Sequence, residues 1–175
     1  MCGFVADYCA MDLMILMDSS GSIRDNQVPN TRDNWSQVKE FAKAVVRTGA
    51  RVGRFFDRVA LIYFSNMASL AFDFDRYLTL GEIEAAIDRV PYVGATTNTS
   101  LALQLGRRVF QDSAYGWRRQ NATHIMLLFT DLFEVYGPLW NSLFLGNTSL
   151  IRGVSPTIHR FCKYAILDIS KQTSF

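Results

Sequence analysis

Two uncharged apolar runs punctuate the chain, and each leads into an aspartate. Leu13-Met14-Ile15-Leu16-Met17 reaches Asp18, and Ile125-Met126-Leu127-Leu128 continues through Phe129-Thr130 to Asp131. Runs of this length without polar alternation predict strands buried on both faces, as in a parallel sheet. Arg58 to Ser65 predicts another buried strand, and Ser69 to Phe74, which alternates and is shorter, predicts a strand paired antiparallel through a hairpin at Asn66-Met67-Ala68. That last strand is the expected sheet edge. Between the strands the period changes to three and four. Trp35, Val38, Phe41, Ala42, Val45 and Val46 mark an amphipathic helix ending at Gly49. Leu80 to Val90 is a second helix, closed by Pro91, and Thr99 to Phe110 a third with Leu101, Leu105 and Val109 on its stripe. Strand, helix, strand, hairpin strand, helix, helix, strand describes an α/β fold: a doubly wound, mostly parallel sheet with one antiparallel edge strand. Ligands of such sheets bind beyond the carboxyl ends of the strands, where Asp18 and Asp131 stand.

The polar residues at the first of those ends suggest a chemistry. In Asp18-Ser19-Ser20-Gly21-Ser22 the carboxylate and two hydroxyls fall on alternate positions, and an extended turn would aim all three at one point. Oxygen donors without nearby thiolate or imidazole suit Mg²⁺, Mn²⁺ or Ca²⁺ rather than zinc or copper.

Asp-x-Ser-x-Ser at the end of an apolar strand resembles the metal-ion-dependent adhesion site of the von Willebrand factor type A domain family. In that family a threonine from a second loop and an aspartate from a third complete the site. Thr97, in Gly94-Ala95-Thr96-Thr97-Asn98-Thr99-Ser100, and Asp131 match them in order. The resemblance therefore implies a metal site of Asp18, Ser20, Ser22, Thr97 and Asp131, with Mg²⁺, or else Mn²⁺ or Ca²⁺, as the ion. It further implies a cell-adhesion or matrix module that is not an enzyme. Its partner would be a protein presenting Asp or Glu, such as collagen or another matrix protein, whose carboxylate completes the cation's shell. An intracellular assembly subunit of the same family, or a non-functional truncated product, is the alternative. A phosphoryl-transfer enzyme is disfavoured, because Ser20 stands where a haloacid-dehalogenase-like site needs a second aspartate, and no nucleophile elbow is found.

The resemblance covers Asp12 to Asp131, so the expected organisation is a flank at 1–10, an incomplete type A domain at 11–131 and an atypical tail at 132–175. In the tail the family's glycine after the aspartate is replaced by Leu132, and only Tyr164 to Ile169 predicts a strand. Asn141 to Thr157 predicts loop. The fold is accordingly expected to be truncated at its C-terminal end, leaving the edge at Ile125 to Phe129 exposed as an aggregation hazard.

Bulk properties alter this picture little. A chain of 175 residues, 49% of them hydrophobic, is one domain with a sufficient core. A net charge of +2 gives no argument for nucleic acid, and no run is long enough to span a membrane. The N-terminus lacks a secretory signal pattern. Cys2, Cys9 and Cys162 leave at least one thiol unpaired within a monomer. Asn34, Asn121 and Asn147 open glycosylation sequons, with Asn98 the poorest candidate because a glycan there would crowd the metal loop. Together with the matrix resemblance these favour an extracellular, secreted location as part of a longer chain, with the cytoplasm as the alternative. His124 reads as a strand-edge residue and His159 falls in the tail.

Overall fold

Alternation along one strand divides the core in two. In the computed structural model, which describes residues 10–25, 29, 33–118 and 122–130 together with the strand backbone at 149–154 and 163–168, the first apolar run forms β1 (Ala10–Asp18). Leu13, Ile15 and Met17 point to one face and Met14 and Leu16 to the other, all less than 5% exposed. A strand buried on both faces needs helices on both, and they are present. α2 (Asn34–Gly49) and α3 (Leu80–Asp88) cover the first face through Trp35, Val38, Ala42, Val46, Ile83 and Ile87. α4 (Thr99–Val109) covers the second through Ala102, Leu103 and Val109. Each fully buried Ile, Leu or Met of β1 stabilises the fold by roughly 1.5–3 kcal/mol.

β1 is flanked in parallel by β2 (Arg58–Phe64) and β4 (Ala122–Thr130). The hairpin strand β3 (Ala68–Phe72) lies antiparallel on β2 as an edge, as its alternation predicts. The second element, α1 (Ser22–Asp25), is a single turn after β1. A 3₁₀ turn at Ser113–Tyr115 leads toward β4.

Two expectations about the elements need correction. The first concerns the tail. Beyond β4 the sheet continues with β6 (Lys163–Asp168) and β5 (Ser149–Val154), both antiparallel, giving the order β3-β2-β1-β4-β6-β5. β5 lies within the stretch expected to be loop, and its Arg152 and Gly153 interrupt the apolar pattern by which a strand is recognised. The edge of β4 from Ile125 to Thr130 is paired to β6 rather than exposed. The second concerns α4, whose buried face is Thr99, Ala102, Leu103, Gly106 and Val109, rotated from the Leu101, Leu105 and Val109 stripe. Small residues draw the helix close to the sheet: a Cβ on Gly106 would stand 2.7 Å from Met126 Cε and 3.0 Å from Met14 Sδ. The sequence pattern weights large apolar residues and so misses a contact made by the absence of a side chain.

At the amino ends of the strands the polar residues are structural. Buried Asp12 accepts from the Arg118 Nε (2.9 Å) and backbone N–H (2.7 Å). His124, the third residue of β4, is buried against Phe110 and Trp117, with Nε2 2.8 Å from Arg118 O. It lies inside a central strand rather than at a strand edge.

Candidate metal centre

Asp18 closes β1 with no exposed surface, so both its carboxylate oxygens must find partners within the fold. Oδ1 accepts the Ser20 N–H at 2.9 Å, the local turn that an aspartate readily makes, and Oδ2 accepts the Thr130 hydroxyl at 2.6 Å. Thr130 arrives there by register, because Met17 lies beside Phe129 in the parallel β1–β4 pair. On the opposite side Ser19 donates both its N–H (2.8 Å) and its hydroxyl (3.0 Å) to Phe64 O at the end of β2. The strand end is thus held from both neighbours.

The next residues bring the hydroxyls together by turning rather than by extending. Ser22 opens α1, Gly21 O accepts the Arg24 and Asp25 N–H groups, and Ser20 Oγ and Ser22 Oγ come to 3.1 Å from each other. The two hydroxyls therefore approach each other through a helical turn rather than along an extended one.

A second loop is laced to the first. Gly94, at φ +74°, donates its N–H to Ser19 O (2.8 Å), and Gly21 donates to Ala95 O (2.9 Å). The approach is close enough that a Cβ on Gly21 would stand 3.3 Å from Gly94 O. The Tyr92 hydroxyl donates to Ser20 O (3.1 Å) and Gly21 O (3.2 Å), while its ring lies under the Arg24 guanidinium, 4.0 Å from Cζ to centroid. Burial pushes the Tyr92 phenol above its ordinary pKa, so it stays a donor throughout the neutral range. At the far end of the loop Asn98 N–H donates to Ser65 O (2.7 Å), and Asn98 Oδ1 caps α4 by accepting from Leu101 N–H (3.3 Å). Half-buried Thr97 lies between these anchors.

Four of the five expected metal ligands, Asp18, Ser20, Ser22 and Thr97, thus lie on two loops bound to each other at the carboxyl ends of β1 and β2. Asp131 follows Thr130 directly but lies outside the described residues. The donor set fits a hard cation. Adjacent ligands of an octahedral ion bound at about 2.1 Å are about 3.0 Å apart, and the two serine oxygens are 3.1 Å apart. Among the described residues no group of three or more His, Cys, Asp or Glu side chains is placed to hold a metal.

Thr130, Ser19, Tyr92 and Ser65 were not among the expected site residues. Thr130 was open to discovery by aligning the two apolar runs as parallel neighbours; the other three act through backbone carbonyls, which leave no pattern in sequence. Asn34 is withdrawn as a glycan acceptor: it is 1% exposed, and the Nδ2 that would carry the sugar donates to Ile23 O at 2.8 Å. Asn121, Asn147 and the three cysteines lie outside the described residues.

A doubly wound α/β domain with interlocked, hydroxyl-rich loops beyond its central strands is a defined class of protein. The chain belongs to the von Willebrand factor type A domain family, whose model matches residues 12–149. It is 30% identical over 120 residues to the human collagen alpha-6(VI) chain, a match covering 69% of this chain and 5% of that one. It is 29% identical over 122 residues to human von Willebrand factor A domain-containing protein 2, covering 70% of this chain and 15% of that one. The chain thus spans a small fraction of these relatives. Proximal thread matrix protein 1 from the mussel byssus shares the fold, with a TM-score of 0.63 at 24% identity over 71% of this chain and 31% of that one. Another structure of that protein, with a zinc-occupied metal-ion-dependent adhesion motif, superposes with a TM-score of 0.58 at 23% identity, covering 66% of this chain and 29% of that one. Among the described residues no helix is long and apolar enough to cross a membrane.

Proposed function

We propose that this domain is an extracellular matrix or adhesion module that binds a protein ligand through a divalent cation. Ser20, Ser22 and Thr97 would hold the ion with neutral oxygens. Asp18 and Asp131 would supply the charge, directly or through water. The observation that carries the reading is the 3.1 Å approach of Ser20 Oγ and Ser22 Oγ beside a buried carboxylate, on loops fixed to each other by backbone bonds. A cation so held is only partly neutralised and keeps open positions, which attract a carboxylate from an Asp or Glu of the partner. The relatives support the setting, since collagen VI chains and a byssal matrix protein carry such domains. The hydroxyl-rich donor set favours Mg²⁺ or Mn²⁺, with Ca²⁺ as a further candidate. Zinc belongs in the comparison because the byssal protein's motif holds it. The role is binding rather than catalysis, and the partner is collagen or another matrix protein.

The test is a thermal melt in Mg²⁺, Mn²⁺, Ca²⁺ or Zn²⁺ against EDTA. At a hundred times its dissociation constant the cation adds about 2.7 kcal/mol, or about 5–10 °C for a chain of this size. Ser20→Ala should abolish most of that shift while leaving the EDTA melt close to wild type. Equal melts of the wild-type protein with and without cation would refute the reading.

A further inference from the structure

Thr99 opens α4 and is 4% exposed, yet its Oγ1 has no hydrogen-bond partner among the described residues. A buried hydroxyl left in that condition costs about 1–3 kcal/mol, so one that persists in a folded domain calls for a partner of another kind. Its place suggests which. Thr99 lies on the sheet-facing side of α4, one turn before Ala102 and Leu103, which pack with Leu16 and Phe64. The preceding residue, Asn98, is bonded to Ser65 O immediately beyond Phe64, and Phe64 is the register partner of Asp18. The orphan hydroxyl is therefore at the level of the strand ends, two residues after Thr97.

We propose that Thr99 is a positioning residue of the metal centre, its Oγ1 accepting a hydrogen bond from a water in the cation's shell. This rests on the proposed cation site. Mg²⁺ dehydrates reluctantly and retains several waters, and each such water is a strong donor that requires an acceptor. In this arrangement Thr97 and Thr99, side by side on one loop and helix start, divide the work between contacting the ion and ordering its water. Without a cation Thr99 destabilises its surroundings; with one, its hydroxyl is satisfied.

Thr99→Val removes the hydroxyl and keeps the branched shape; Thr99→Ala is a second hydroxyl-free variant suited to a helix start; Thr99→Ser keeps the hydroxyl. Calorimetric titration with Mg²⁺ and Mn²⁺ should show affinity about three- to tenfold lower in the Val and Ala variants and within about twofold of wild type for Ser. The Val variant should melt in EDTA at or above the wild-type midpoint, the opposite direction from its effect on cation binding. Water-proton relaxation by bound Mn²⁺ should change in the Val and Ala variants and be restored in Ser, which a merely structural role would not produce. Wild-type affinity and relaxation in both hydroxyl-free variants would overturn the inference and leave the cation site standing. Failure of the wild-type protein to bind any cation would overturn both.

Discussion

Gly94 carries a constraint that no side chain announces. At φ +74° it occupies a region costly to residues with a Cβ, and from there its N–H holds Ser19 O while the adjacent Ala95 O holds Gly21 N–H. An added Cβ would also meet the Tyr92 ring at 3.1 Å, the ring whose hydroxyl secures Ser20 and Gly21. Gly94→Ala should therefore destabilise the domain by about 1–2 kcal/mol, read as a lower urea midpoint at unchanged slope, and should weaken cation binding as well. An unchanged midpoint would show that the loop accommodates the methyl group without strain. At this scale the sequence was informative where chemistry is carried by side chains: Asp18, Ser20, Ser22 and Thr97 are recognisable as oxygen donors after strands. It was silent on Ser19, Tyr92 and Ser65, because their bonds are made with backbone groups that every residue possesses.

Among the elements, α2 is tied through its own cap to the loop proposed to hold the cation. Asp33 accepts from the Ser36 N–H (3.0 Å) and hydroxyl (3.1 Å) and from Arg24 Nε (2.8 Å), and Arg24 in turn stacks on Tyr92. Partial burial pushes the Asp33 carboxyl up, but the bonds from Arg24 and Ser36 together outweigh it and hold its pKa below the ordinary carboxylate value. A depressed folded pKa contributes stability that is present above the unfolded value and is lost as pH falls through the folded one. Asp33→Asn keeps a good cap while removing the charge. Because the ion pair is partly exposed, the variant should lose no more than about 1 kcal/mol at pH 7, and its loss of stability below about pH 4 should be shallower than wild type. Parallel acid titrations followed by circular dichroism would decide this; identical acid limbs would remove Asp33 from the account. The elements themselves were legible from periodicity, as the agreement of α2 and α3 with their apolar spacing shows. Apolar periodicity misplaces the buried face of α4 because Gly106, Ala102 and Thr99 define that face by being small.

For the whole molecule the sheet's two ends differ in kind. One ends in β3, whose hairpin and alternation mark it as an edge in the sequence. At the other end, β4 is a buried-type strand by composition, and a strand buried on both faces at an open edge is an invitation to another chain. β6 resolves this by pairing with Ile125 to Thr130, and β5 then takes the outer place. β6 is marked by its apolar run at Tyr164 to Ile169, whereas β5 is missed because Arg152 and Gly153 leave it only weak alternation. A chain lacking residues 149–175 keeps Asp131 and nearly all of the span matched by the family, but exposes six paired positions of β4. It should melt at least several degrees lower than the full chain and self-associate, with light scattering detecting dimers or larger species at concentrations where the full chain does not associate. Thr130 is the last of those six positions and also the donor to Asp18, so loss of β6 should reach the metal centre as a weaker cation-dependent shift. A monomeric truncated chain with the full chain's midpoint and cation response would mean that β4 needs no antiparallel partner and that the centre is held by β1, β2 and the two loops alone.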